Sequence, residues 1–220
     1  MTWLTALALG FLLGLRHATD ADHIVAVATI VSRERGVLPA LRIGSLWGLG
    51  HTATILLVGG AIVSFGLAVP RELGLSLELS VALMLMLLGA LNVAWVLRHD
   101  AHSEKGVAPP RARLQSVLVG SVHGLAGSAA MALLVLSTLR EVQLALLYLG
   151  VFGLGSVLGM TLLTGVMAAP LAFANRRFAS FGRYVTGVSG AVSVALGLFL
   201  VYRIFVVDGL ISDALAYAPR

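Results

Sequence analysis

The chain has 220 residues, of which 59% are apolar or aromatic by the AVILMFWYC count and only 11% are charged. Adding the glycines and removing the tyrosines gives about 68% apolar residues, whereas soluble domains have about 45–50% apolar and about 25% charged residues. This composition excludes a water-soluble enzyme and indicates an integral membrane protein. The chain has no cysteine, which excludes disulfides and thiolate metal ligands. Its net charge of +5 does not indicate nucleic-acid binding, because the basic residues are not clustered on one face.

Six apolar segments are long enough to cross a bilayer as helices, since one crossing takes about 20 residues. The first segment has two apolar halves, 3–15 and 24–31, each too short to cross alone, so we expect one helix interrupted in its middle. The predicted fold class is therefore an all-α integral membrane protein with six transmembrane helices. The predicted spans are 3–31, 41–69, 79–97, 116–139, 144–173 and 185–205.

The polar stretch between spans three and four divides the chain into halves with three spans each. We interpret residues 1–220 as one membrane domain, with a first half at 1–98, a linker loop at 99–114 that contains two prolines, and a second half at 115–220.

Weak internal similarity accompanies this division. The tripeptide Gly-Leu-Gly at 48–50 in span two recurs at 153–155 in span five, and spans one and four carry His17 and His123. Because each half has an odd number of spans, similar halves face opposite ways. The sequence thus predicts a 3+3 inverted repeat, as in many secondary transporters.

Basic residues predict the orientation. Ten Lys and Arg residues lie in the loops after spans one, three and five, against four on the other side. Since basic loops stay in the cytoplasm, we expect a multi-pass protein of the cell inner (plasma) membrane with both termini outside.

The polar run at 16–23 lies near the middle of span one, where ionisable groups cost several kcal/mol and usually mark function, ion pathways above all. His17, Asp22 and His23 form an H-x4-D-H pattern. On an ideal helix His17 and His23 point about 120° apart, so an unwound turn or ligands from other spans are needed to gather the three groups on one ion. Asp20 shares a face with Arg16 and His23, so it can pair with Arg16 or orient His23.

Three interpretations of this run stay open. The residues can form a wet loop between re-entrant segments, a proton relay without metal, or a site for a divalent cation. Imidazoles and carboxylates together suit Ni, Co, Zn or Cu(II) better than Mg or Ca. Affinity alone does not select nickel, because the Irving–Williams order favours copper.

Two further imidazoles stand inside apolar spans. His51 follows Gly-Leu-Gly in span two, and His123 lies in a stretch of small residues in span four. Each can be a structural histidine between packed helices or a metal ligand. The predicted ligands are His17, Asp20, Asp22, His23, His51 and His123, and the predicted supporting residues are Arg16, Thr52 and Ser121.

At these residues the chain resembles a known family. The segment 16–24, RHATDADHI, resembles the signature of the nickel/cobalt transporter family (NiCoT), whose H-x4-D-H motif lies in a transmembrane helix, and 49–52, LGHT, is similar to that family's second motif. The resemblance implies that His17, Asp22, His23 and His51 handle metal, with Asp20 in the same motif. The chain departs from the larger members, which have about eight spans and later acidic motifs. Residues 123–128 and 152–160 look like the small UreH-type branch, described as urease accessory proteins or nickel permeases.

The predicted function is that of a secondary transporter, not an enzyme, that moves Ni²⁺ or Co²⁺ into the cytoplasm as a substrate, with no permanently bound cofactor. Two alternatives are efflux of the same metals and a membrane accessory protein that delivers nickel to urease maturation proteins. A membrane metalloenzyme using the same cluster is less favoured, since beyond Asp20 no other carboxylate in the membrane is available to assist as a base. The expected partners are a transition-metal ion, the lipid bilayer and nickel-enzyme maturation proteins, without nucleic acid.

Overall fold

The computed structural model describes residues 3–34, 36–98, 112–138, 141–177 and 181–208, with side chains described except at 112, 128–138 and 175–177. Every regular element in these ranges is helical. The α-helices are α1 (Trp3–His17), α2 (Ala21–Val31), α3 (Val37–Thr54), α4 (Gly60–Phe65), α5 (Arg71–Arg98), α6 (Ala112–Thr138), α7 (Val142–Arg177) and α8 (Phe181–Tyr202).

Two π-helical segments lengthen the spans. Ile55–Gly59 joins α3 to α4, and Arg203–Val207 extends α8. Within the part of the chain whose side chains are described, four elements are long and apolar enough to cross a membrane. They match predicted spans two, three, five and six: Val37–Phe65, Arg71–Arg98, Val142–Ala174 and Phe181–Val207. The prediction of an all-helical fold with helices long and apolar enough to span a membrane is therefore confirmed.

The interruption predicted in the first span is present. Helix α1 ends at His17 and α2 begins at Ala21, both shorter apolar helices. The amides of Thr19 and Asp20 donate to the carbonyls of Arg16 and His17 at 2.8 and 3.1 Å, which tightens the last turn. Asp20 then adopts an extended backbone (φ −63°, ψ 148°) and redirects the chain into α2.

The predicted linker is only partly described. Residues 99–111 lie outside the described residues, whereas 112–114 already belong to α6, so the helix begins before the predicted boundary at 115. Helix α6 covers most of predicted span four.

Helices approach one another through glycines. Helix α1 packs on α7, and α3 packs on both α6 and α7. A Cβ atom at Gly14 would overlap the Phe152 carbonyl, and one at Gly120 would overlap the Trp47 carbonyl. The α1–α7 and α3–α6 pairs therefore require glycine for backbone contact.

Helices α5 and α8 form another close pair, and polar groups attach α2 to it. The Asn92 amide of α5 donates to the Thr29 carbonyl of α2 at 2.7 Å, and the Thr186 hydroxyl of α8 donates to the Ser32 carbonyl at 3.2 Å. All four residues are buried. The position of α2 therefore depends on α5 and α8.

Candidate metal centre

Four histidines from four helices meet at the break between α1 and α2. His17 ends α1, His23 lies in the first turn of α2, and His51 and His123 come from α3 and α6. The ring centroid of His23 lies 4.5 Å from that of His17, 5.2 Å from that of His51 and 4.8 Å from that of His123. The break thus supplies the unwound turn that the H-x4-D-H spacing requires.

His17, His23 and His51 form what we call the imidazole triad, with one nitrogen of each ring within 4.8 Å of the others. The Nε2 atoms of His17 and His51 are 3.2 Å apart. Two nitrogens at this separation, each about 2.0–2.1 Å from one ion, subtend an angle of about 100° at the ion. That angle lies between the octahedral and tetrahedral values, so both rings can bind the same cation.

Asp22, His23 and His123 form the mixed triad, whose ligand atoms also lie within 4.8 Å of one another. The Asp22 Oδ2 atom is 3.6 Å from His123 Nε2, and Asp22 Oδ1 is 3.1 Å from His23 Nδ1. This triad offers nitrogen and carboxylate oxygen together, a ligand combination suited to first-row divalent metals.

Hydrogen bonds fix the orientation of three rings through Nδ1. His17 Nδ1 lies 2.8 Å from Asp20 Oδ2, His23 Nδ1 contacts Asp22, and His123 Nδ1 lies 3.4 Å from the Val119 carbonyl. Carboxylates and carbonyls accept, so in each neutral ring Nδ1–H donates and Nε2 keeps its lone pair. Such partners commonly orient metal-binding histidines and raise their basicity.

The free ring nitrogens are buried. His51 is 0%, His23 2% and His123 3% exposed. Among the described residues, His23 Nε2, His51 Nδ1 and His123 Nε2 have no hydrogen-bond partner. Leaving such groups unpaired costs about 1–3 kcal/mol each, and a bound cation removes this cost for the nitrogens that it meets.

The remaining predicted residues differ in their position. Asp20 bonds to His17, so the expectation that it orients His23 or pairs with Arg16 names the wrong partner. The exposed Arg16 uses its carbonyl to accept the Thr19 hydroxyl at 2.6 Å. The Thr52 hydroxyl donates to the Gly153 carbonyl at 3.1 Å and ties α3 to α7, while Ser121 is half-buried in α6 and belongs to neither triad.

Two aromatic residues that the sequence analysis did not select border the site. The buried Trp47 ring lies 5.3 Å from His23 and 5.6 Å from His123 between centroids, and Phe152 lies 5.5 Å from His17. Trp47 is four residues before His51 and therefore on the same face of α3, which is the sequence signal that could have identified it.

Comparison with known proteins gives a full-length relative. The chain is 33% identical to urease accessory protein UreH of a Bacillus species over 94% of this chain and 95% of that protein. It is 39% identical to hydrogenase nickel incorporation protein HupN of Bradyrhizobium diazoefficiens, over 39% of this chain and 24% of HupN. It is 26% identical to chloroplast protein FOR GROWTH AND FERTILITY 1 of Arabidopsis thaliana, over 92% of this chain and 60% of that protein. Neither a family model nor a solved structure matches the chain.

These findings define a helical protein with helices long enough to span a membrane and with a cluster of histidines, three of them buried, beside partly exposed carboxylates. The chain belongs to the UreH-type branch of the nickel/cobalt transporter family, as its motifs predict. The names of UreH and HupN describe an accessory protein and an incorporation protein, and neither name refers to a catalyst.

Proposed function

We propose that the chain is a secondary transporter that carries Ni²⁺, with Co²⁺ as a second substrate, into the cytoplasm. The main support for this proposal is that four imidazoles and one carboxylate form two triads at the interruption of a membrane helix. The names of UreH and HupN, which refer to urease and to nickel incorporation, support nickel as the metal. The predicted ligands His17, Asp22, His23, His51 and His123 bind the ion in this proposal, and Asp20 orients His17.

The membrane potential is a sufficient driving force for this import. A divalent ion gains about 4.6 kcal/mol in crossing 100 mV, from two charges at about 2.3 kcal/mol each. A potential that is negative inside the cell makes inward movement of a cation the favourable direction, whichever way the protein faces. We propose that the basic loops lie in the cytoplasm of the cell inner membrane and that both termini lie outside.

We also propose six spans arranged as two inverted halves. Two equivalent contacts support this arrangement. Gly14 of α1 lies against the Phe152 carbonyl of α7, and Gly120 of α6 lies against the Trp47 carbonyl of α3. The same aromatic residues border the two histidines, with centroid separations of 5.5 Å for His17–Phe152 and 5.6 Å for His123–Trp47.

Purified protein in vesicles of phosphatidylethanolamine and phosphatidylglycerol tests the proposed function. With a potential negative on the cytoplasmic side, we expect accumulation of radiolabelled Ni²⁺ and Co²⁺ above that of Mn²⁺. We expect uptake to fall as the pH is lowered, because protons compete with the metal for imidazole nitrogen. Empty vesicles give the baseline. Absence of uptake in this assay contradicts transport and favours an accessory role in metal delivery.

Replacing Asp20 with Ala is expected to weaken Ni²⁺ binding to the imidazole triad by about 10- to 100-fold, because His17 loses the carboxylate that orients its ring. Isothermal titration of the purified protein measures this change. Glu78→Ala removes an exposed carboxylate from α5 and serves as the matched control. Equal affinities for the Asp20 and Glu78 variants would show that the carboxylate at 20 does not support the site.

A further inference from the structure

We propose that the imidazole and mixed triads are two alternative subsites for a single ion, and that transport includes the transfer of this ion from one triad to the other. This inference rests on the proposed transport function and adds a second binding position, built around His123. Both triads contain His23, and they differ in every other member.

The shared ring makes the two subsites exclusive. A neutral imidazole has one nitrogen with a lone pair and one that carries a proton. Whichever nitrogen of His23 binds the metal, the other remains an N–H group, so one neutral His23 serves one ion at a time. The separate ligands can therefore be used only in turn.

The two subsites differ in the total charge of their ligands. The imidazole triad offers three neutral nitrogens, whereas the mixed triad adds the Asp22 carboxylate to two nitrogens. Asp22 is also partly accessible, with 33% of its side chain exposed, while the side chain of His123 is 1% exposed. An ion that moves between the triads thus exchanges two ligands while it keeps His23, which avoids the full release of a doubly charged ion within the protein.

Variants that break one triad at a time test this proposal. His51→Asn removes a ligand of the imidazole triad. His123→Asn removes a ligand of the mixed triad, and its amide nitrogen can keep the hydrogen bond that His123 Nδ1 makes to the Val119 carbonyl. Ser45→Ala is the control on α3, because its hydroxyl bonds to Leu41 and Thr161 and lies outside both triads.

Binding is measured by equilibrium dialysis with Ni²⁺ alone, and the ligand set by the visible absorption of bound Co²⁺. We expect about one ion per chain in the wild type and in each single variant, and less than about a tenth of an ion in the double variant. The cobalt spectra of the two single variants should differ, because one retains nitrogen and oxygen ligands and the other nitrogen alone. Uptake by each single variant should fall at least about tenfold although binding persists.

Three results would overturn the proposal: two ions per wild-type chain, loss of all binding in one single variant, or wild-type uptake by either variant. His51→Gln and His123→Gln repeat the test if an Asn variant does not give a monodisperse protein. The number of ions bound by the wild type tests, without any variant, whether the two triads exclude simultaneous binding. A wild-type protein that neither binds nor moves Ni²⁺ refutes the transport function itself. A wild type that transports, combined with variants that fail this pattern, refutes only the transfer.

Discussion

Replacing His23 with Asn is expected to abolish Ni²⁺ uptake and to weaken Ni²⁺ binding by more than about 100-fold. Both triads contain His23, so the substitution removes a ligand from each, whereas a change at His51 or His123 leaves one triad complete. Loss of a residue that only orients a ligand costs about 10- to 100-fold in affinity, and loss of the ligand itself should cost more. Uptake into vesicles and isothermal titration of the same preparation measure the two effects.

Thr161→Val provides the comparison for His23→Asn. Its hydroxyl bonds to the Val157 carbonyl and lies 3.1 Å from Ser45 Oγ, and Thr161 belongs to neither triad. We expect this variant to take up Ni²⁺ at nearly the wild-type rate. A folded His23→Asn protein with uptake within twofold of the wild type would show that the ion does not depend on the shared ring.

Replacing Gly120 with Val is expected to destabilise the protein by about 3 kcal/mol or more, because the new side chain would overlap the Trp47 carbonyl and ring. Backbone atoms of α3 cannot move aside without displacing His51, which follows Trp47 by one helical turn. For a chain of this size, such a loss lowers the apparent Tm by about 6–12 °C. Thermal unfolding in detergent, followed by circular dichroism, measures the shift.

Gly127→Ala is the matched control in the same helix, because a Cβ at Gly127 meets nothing within 4 Å among the described atoms. Its Tm should stay close to that of the wild type or rise slightly, since Ala favours helix over Gly. If Gly120→Val unfolds at the wild-type temperature, close contact between α3 and α6 does not determine stability.

Local patterns in the sequence were sufficient to predict the helices and the broken first span. Two short apolar halves around a polar run predict the interruption, and the angle between His17 and His23 on an ideal helix indicates that an unwound turn must bring them together. The structure has that turn at residues 18–20. These features follow from spacing along one segment, which is information that the sequence contains directly.

The division of the ligands into two triads could not be predicted in the same way. Which of His51 and His123 meets His17 depends on the rotation and height of α3 and α6, and these are set by backbone contacts at Gly120 and Gly124 between helices far apart in sequence. The predicted partner of Asp20 was wrong for a related reason. A helical face places it beside His23, but the chain has left the helix at that point, so the carboxylate turns back to His17.

The attachment of α2 to α5 and α8 links residues that are not metal ligands to the position of a proposed ligand, His23. The amide of Asn92 and the hydroxyl of Thr186 hold the backbone of α2, and His23 stands at the opposite end of that short helix. A small tilt of the α5–α8 pair therefore also tilts α2 and displaces the His23 ring at the other end of that helix. In the proposed transporter, selectivity for one cation over another can accordingly be altered by changes in the α5–α8 pair, while the side chains of the two triads stay the same.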